Sequence, residues 1–203
     1  MPKKTFLRLK ASKQTRVYQG LIDVFYEKGY EAVSVADIVK VCAIPRGSFY
    51  MYFEDKFDAF MYILSHAQKD KMIYLKPVLD RLNDRAFMDC YIDLIKAGLA
   101  YANEHPKLVG LWMRFYRSSS HRLSQHWRVF ELQAIDVLSE YLKQDQNRGH
   151  IRDEVDIRSL AKLLYHIQSI DILEAYIDGE AENTIINKVD AYLEIILNGI
   201  KEA

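Results

Sequence analysis

Apolar residues recur at helical spacing along nearly the whole chain, and no segment shows the strict alternation of a half-buried strand. The first such stripe comprises Val17, Leu21, Val24 and Phe25. A helix is predicted to end after this stripe at Lys28, because Gly29 can adopt the left-handed conformation that closes a helix. Continued along the chain, the pattern predicts an all-α protein of about nine helices.

Residues 34–56 predict two short helices joined by a tight turn. Ser34 and Asp37 form a capping-box pattern that starts the first helix. Pro45 stands at the expected first position of the second helix, where its fixed φ and missing N–H cost nothing. Phe49 and Phe53 share one side of that second helix, and more polar residues occupy the others. This is the layout of a helix-turn-helix, whose second helix enters the major groove of DNA.

The segment Arg16–Phe60 closely resembles the DNA-binding domain of the tetracycline-repressor (TetR) family. The residues that carry the resemblance are Phe25, Lys28-Gly29-Tyr30, the helix start from Ser34 to Ile38, and the run from Gly47 to Phe53 followed by Lys56. The resemblance is dense over about a quarter of the chain and only architectural elsewhere. It implies a three-helix DNA-binding domain over residues 1–55 and a larger effector-binding and dimerisation domain, of about six helices, over residues 56–203.

Two residues at helix starts are expected to hold DNA phosphates. Ser34 lies where free backbone N–H groups and the helix dipole favour an anion, although capping alone is an alternative role. Lys56 begins the next helix and is a second candidate for a phosphate contact.

The predicted second helix supplies the remaining DNA contacts. Arg46 is the candidate for base recognition, since a guanidinium can pair with guanine through two hydrogen bonds, with a phosphate contact as the alternative. Gly47 allows close approach of the backbone, and Ser48 can reach a phosphate or a base. Tyr50 and Tyr52 can donate hydroxyls to phosphates or pack on thymine methyl groups, unless they are only surface aromatics. The family resemblance implies contacts at these same positions.

Some residues depart from the family pattern. Met51 replaces a usual aromatic, Glu54 puts an acid near the expected phosphates, and Gly20-Leu21 replaces a usual pair of alanines, which is expected to shift helix packing. The basic leader is expected to be a frayed, solvated tail rather than a DNA contact. Its cations are Lys3, Lys4, Arg8 and Lys10.

Charge is distributed unevenly although the net charge is zero. Residues 1–53 contain nine Lys or Arg against four acidic residues, and the rest of the chain contains 19 against 24. A basic domain on an acidic remainder favours a nucleic-acid partner, because only the docking surface needs to be positive.

The last two predicted helices, 156–178 and 184–202, carry wide apolar stripes. Packed against their own copies they would form a four-helix dimer interface, as the resemblance also implies, although part of each stripe must be intramolecular core. The residues assigned to the interface are Leu164, Ile172, Tyr192, Leu193, Ile196, Leu197 and Ile200.

The middle helices are rich in aromatic residues. The resemblance implies an effector pocket in this part of the chain, and a large apolar pocket with few polar groups suits a hydrophobic ligand. Ordinary core packing is the alternative for each residue. The candidates are Phe87, Tyr91, Trp112, Tyr116 and Trp127, with Arg114, His126 and His166 as polar groups.

The sequence gives little support for an enzyme or for a membrane protein. None of the six histidines follows an acidic residue by three positions, and no Gly-rich phosphate loop or metal motif appears, so no cofactor or metal is expected. No apolar run reaches the ~18 residues of a membrane span. Two distant cysteines fit a reduced, cytoplasmic setting. The sequence thus predicts a homodimeric DNA-binding regulator of a palindromic operator, and the family resemblance implies that it is a repressor released by a small hydrophobic effector. A helical adaptor with a basic head is the alternative.

Overall fold

A computed structural model describes residues 2–200, apart from the side chains of Asn83 and Ile200. All regular secondary structure in this range is helical. The helices are α1 (Lys4–Leu7), α2 (Ala11–Lys28), α3 (Val35–Val41), α4 (Arg46–Tyr52), α5 (Lys56–Leu79), α6 (Phe87–Glu104), α7 (Pro106–Tyr116), α8 (His121–Asn147), α9 (Ile157–His166), α10 (Ile172–Ile177) and α11 (Glu182–Ile200). None of these helices combines the length and apolarity that a membrane crossing requires.

The all-α prediction is confirmed, and two features were not anticipated. The nine predicted helical runs correspond to α2–α8, the α9–α10 run and α11. The segment Ile167–Asp171 joins α9 to α10 as a π-helix, so one predicted helix contains a wider turn. The other feature is α1, which occupies the leader expected to be a frayed tail.

The chain divides into two compact units. The first runs from the N-terminus through Met72 and includes His105–Ser120, so α7 belongs to it. The second comprises Ile73–Glu104 and the described residues from His121 to Ile200. These limits differ from the boundary drawn after residue 55, which remains a prediction about how function is divided.

The first unit contains a close crossing of α2 and the end of α3. A Cβ atom built on Gly20 would lie 2.9 Å from Cys42 Sγ and 3.1 Å from Cys42 Cα. Cys42 is completely buried, and its thiol faces the Val17 carbonyl at 3.6 Å. The departure from the family pattern at Gly20 therefore has a structural reason, because this crossing leaves no room for a methyl group.

The second unit is organised around the buried face of α6. Asp145 of α8 is 2% exposed, and its Oδ2 accepts the Phe87 backbone N–H at 2.7 Å, which satisfies one of the free N–H groups at the start of α6. One turn later, the Tyr91 hydroxyl donates to the Leu164 carbonyl of α9 at 2.8 Å. Burial raises the pKa of Tyr91, so this hydroxyl remains a donor.

Gly20→Ala is expected to lower the free energy of unfolding by about 1–3 kcal/mol, since the added methyl group must push α2 away from the Cys42 backbone. Gly47→Ala is the matched control, because nothing lies within 4 Å of a Cβ there and alanine is the better helix former. Urea unfolding followed by circular dichroism measures both. Equal stability of the two variants would show that the crossing is looser than described.

Candidate nucleic-acid interface

The capping box at the start of α3 is confirmed. Ser34 Oγ accepts the Asp37 backbone N–H at 3.2 Å, and Asp37 Oδ2 accepts the Ser34 backbone N–H at 3.0 Å. The Lys28 ammonium also donates to the Asp37 carboxylate. These bonds, led by the one from Lys28, hold the pKa of Asp37 well below its usual range. The stabilisation is therefore present above the ordinary Asp pKa of about 4 and is lost as the pH falls toward the lowered value.

The turn between α3 and α4 contains a residue in a strained conformation. Ala43 has φ 49°, in the left-handed region that costs a residue with a Cβ roughly 1–2 kcal/mol. Ile44 is buried, and its N–H bonds to the Val39 carbonyl at 3.1 Å, so the turn is held from both sides. Pro45 is the N-cap of α4, one position earlier than predicted, and Arg46 is the first helical residue.

One side of α4 is buried in an aromatic core. Phe49 and Phe53 are completely buried, with ring centroids 5.8 Å apart, and Tyr52 is 4% exposed. The helix has only seven residues, fewer than an isolated helix needs to persist in water. These buried rings therefore hold it in place.

The other side of α4 is open to solvent. Arg46, Gly47, Tyr50 and Met51 are exposed, and Ser48 is half-buried. The Arg46 guanidinium makes no hydrogen bond or ion pair with any residue in the described range. Nothing lies within 4 Å of a Cβ built on Gly47, so the backbone there is bare. A short exposed helix edge with a free guanidinium, a phenol and a bare backbone suits a major groove.

The structure changes the roles of two predicted contacts. Tyr52 packs against the Phe6 ring at 5.6 Å, so it belongs mainly to the core rather than to the exposed edge. The Lys56 ammonium donates to the carbonyls of Tyr30, Glu31 and Val33 at 2.9–3.1 Å. Lys56 therefore closes the turn before α3, and its phosphate contact stays a prediction. Ser34 remains exposed, and its phosphate contact stays a prediction.

Helix α7 packs on the C-terminal half of α2. Lys107 forms an ion pair with Asp23 at 2.6 Å. The Arg114 guanidinium lies 5.3 Å from the Tyr26 ring centroid, and its Nη1 donates to the Phe25 carbonyl at 3.2 Å. Arg114 was assigned to an effector pocket, but its described contacts are with the DNA-binding unit. Trp112 and Tyr116 lie on the same helix, in the same unit.

The other five effector candidates lie in the second unit. Phe87, Tyr91 and Trp127 are buried, and the Phe87 and Tyr91 rings are 6.0 Å apart. His166 Nε2 lies 3.4 Å from a Glu131 carboxylate oxygen. His126 is exposed on α8, which does not support a place inside a pocket. Two cavities of this unit, of about 240 and 300 Å³, are lined by other residues, so the predicted pocket stays a prediction.

The predicted dimer residues divide into buried and exposed sets. Within the protomer, Leu164, Ile172, Leu193 and Ile196 are buried. Tyr192 is 38% exposed and Leu197 is half-buried, whereas the Ile200 side chain lies outside the described part. The most exposed apolar residue of α11 is one the sequence analysis passed over, Ile195 at 73%. Its spacing of three from Tyr192 places both on one face, which the helical pattern could have indicated.

Comparison with known proteins agrees with this interface. Residues 19–58 match the profile of a family described as bacterial regulatory proteins, tetR family. Residues 19–58 therefore form a DNA-binding domain of the TetR-family type. The function of the chain is that of a DNA-binding transcriptional regulator.

Among relatives, an uncharacterized HTH-type transcriptional regulator of Bacillus subtilis, YvdT, is 39% identical over 56 residues, or 28% of this chain and 26% of that protein. The fatty acid metabolism regulator protein of B. subtilis is 21% identical over 96% of this chain and 98% of its own length. The solved structure of B. subtilis FadR in complex with stearoyl-CoA superimposes with a TM-score of 0.71 at 16% identity, covering 92% of this chain and 98% of that chain.

Tyr50→Ala is expected to weaken operator binding by about 1–3 kcal/mol while helix content and oligomeric state stay unchanged, because Tyr50 is exposed and is not needed for the core. Tyr50→Phe separates the hydroxyl from the ring. Fluorescence anisotropy with labelled operator DNA gives the affinities. If Tyr50→Ala bound as tightly as the wild type, this edge of α4 would not contact DNA.

Proposed function

We propose that this protein is a homodimeric repressor that acts in the cytoplasm on a palindromic operator. A hydrophobic effector with an acidic group, bound in the effector domain, releases it from the DNA. The observation that carries the proposal is the exposed edge of α4, with Arg46, Gly47 and Tyr50 on a basic domain. This edge is complementary to a groove lined by phosphates.

Two copies are needed because one reading helix covers only a few base pairs, and helix-turn-helix proteins usually read the two halves of a palindrome as a dimer. Apolar side chains left exposed on the last helices support the location of the interface. They are Leu163 on α9, Ile177 on α10, and Tyr192 and Ile195 on α11. Exposed apolar residues on neighbouring helical segments are typical of surfaces that are covered in an assembly.

The proposal is tested by pulling down fragmented genomic DNA of the source organism with the purified protein at about 0.15 M salt, followed by sequencing. One enriched palindromic motif, with binding that weakens steeply as salt increases, is the expected result. DNA binding without a motif, or no binding with and without added fatty acyl compounds, would contradict sequence-specific regulation.

Ile195→Asp is expected to convert the dimer into a monomer and to weaken operator binding by about a hundredfold or more, because the second half-site no longer adds to the affinity. Ile73→Asp is the matched control, since Ile73 on α5 is 71% exposed and has no assigned interface. Light scattering after gel filtration gives the masses. A dimer that survives Ile195→Asp would place the interface elsewhere.

Lys71 on α5 supports an effector with an acidic group. Burial lowers the pKa of its ammonium, yet the residue retains some accessible surface. Within the described residues it has no hydrogen bond and no ion-pair partner. A desolvated cation without a counter-charge is costly, and an anionic ligand group would relieve that cost.

The apolar part of the effector is proposed from the relatives. One is named a fatty acid metabolism regulator, and one similar fold was solved with stearoyl-CoA. A fatty acid or fatty acyl thioester combines a long apolar chain with carboxylate or phosphate charges. That combination suits a chain rich in apolar side chains in which the half-buried Lys71, in the first unit, has no described ion-pair partner.

Lys71→Met is expected to reduce the release of operator DNA by palmitate or palmitoyl-CoA by about tenfold or more in effector concentration, since a charged hydrogen bond contributes about 1.5–3 kcal/mol. Lys69→Met is the control, because Lys69 is exposed two residues earlier on the same helix. Palmityl alcohol, which lacks the charge, should act equally on wild type and variant. An unchanged response of Lys71→Met to both anionic compounds would remove Lys71 from the site.

A further inference from the structure

The basic leader, residues 3–10, packs against α4, the reading helix. Phe6 of α1 is completely buried, and its ring lies 5.1–5.6 Å from the rings of Tyr52, Phe53 and Tyr62. This single apolar residue among cations fixes the segment to the core of the DNA-binding unit. The frayed tail expected of a chain terminus is therefore not what the structure shows.

Lys3 joins the leader to the C-terminal end of α4. Its backbone N–H donates to the Tyr52 carbonyl at 2.8 Å, and its ammonium donates to the Tyr50 carbonyl at 2.9 Å. The last carbonyls of a helix have no partner within the helix, and a cation there also interacts favourably with the helix dipole. Lys3 therefore caps the reading helix through the backbone of the exposed Tyr50.

The other end of the leader is tied to α2. The Gln14 side-chain amide donates to the carbonyls of Leu7 and Leu9 at 3.2 and 2.8 Å. The segment between these two attachments carries its remaining cations on the outside. Lys4, Arg8 and Lys10 are exposed, and none forms a hydrogen bond or ion pair through its side chain with residues 2–200.

We propose that the leader is a second DNA-binding element, in which Lys3 positions the reading helix and Lys4, Arg8 and Lys10 contact the phosphate backbone beside it. The proposal rests on DNA binding through α4. The segment that carries these three cations is attached beside the reading helix at both of its ends. Their positive charge is complementary to the negative phosphates of a DNA strand. Phosphate contacts of this kind add affinity and orientation but no base preference.

The phosphate contacts are tested with a triple variant, Lys4→Gln, Arg8→Gln and Lys10→Gln. A charge-matched control changes three exposed cations of the second unit, Lys96→Gln, Arg128→Gln and Lys162→Gln. The slope of log affinity against log salt concentration is expected to become shallower by about 0.9 for each lost contact in the leader variant, and to stay unchanged in the control. Affinity for operator and for random DNA should fall by the same factor.

Lys3 is tested by Lys3→Met, with Lys3→Arg as the rescue variant. Because Lys3 acts through the end of α4, the ratio of operator to random-DNA affinity should fall several-fold in Lys3→Met, and Lys3→Arg should restore it. The salt slope should not change in either. A lower affinity ratio with an unchanged salt slope distinguishes a positioning residue from a phosphate contact. A general loss of folding would be visible as a lower midpoint of thermal unfolding.

The outcomes separate the proposal from the function on which it rests. A leader variant with the same salt slope as its charge-matched control would overturn the phosphate contacts, while wild-type operator binding would still support DNA recognition by α4. A Lys3→Met protein with an unchanged affinity ratio would overturn the positioning role. A wild-type protein that binds no DNA at any salt concentration would contradict the regulator function itself.

Discussion

The burial of aromatic rings beneath α4 is the constraint on which the reading surface depends. The completely buried Phe53 ring lies 5.1–5.8 Å from the rings of Phe6, Phe49 and Tyr62, so it connects the leader, the reading helix and α5. A helix of seven residues is too short to be stable alone, so these contacts determine which of its sides is buried. Because Phe49 and Phe53 are buried on one side of α4, Arg46 and Tyr50 on its other side are exposed to solvent. The orientation of the exposed edge of α4 is thus set by buried residues on its other side.

Helix α7 packs closely on α2 within the first unit. A Cβ on Gly110 would lie 2.8 Å from Tyr26 Cε2, so α7 approaches α2 closely, and Lys107 and Arg114 both lie over the same Tyr26 ring. Helix α7 follows α6 after a single residue and leads into α8, and both of those helices belong to the second unit. Helix α7 therefore belongs to the first unit although both of its neighbours along the chain belong to the second.

The sequence was sufficient to predict those features that depend only on residues close together along the chain. Gly29 at φ 78°, the Ser34–Asp37 capping box and the buried Phe49 were all predictable because each follows from neighbours within one or two turns. Long-range contacts were not. The docking of Phe6 involves residues about fifty positions away, and neither the three carbonyl partners of Lys56 nor the contact of Arg114 with Tyr26 leaves a periodic trace. The left-handed Ala43 was missed because no glycine marks that turn.

The crossing at Cys42 also determines how the DNA-binding unit responds to oxidants. Oxidation of a cysteine proceeds through its thiolate, and burial raises the pKa of Cys42 to about 12, so almost none is present at neutral pH. The residue is also completely buried, which limits access of an oxidant to the sulfur. Cys42 is therefore expected to react slowly with peroxide and with disulfides.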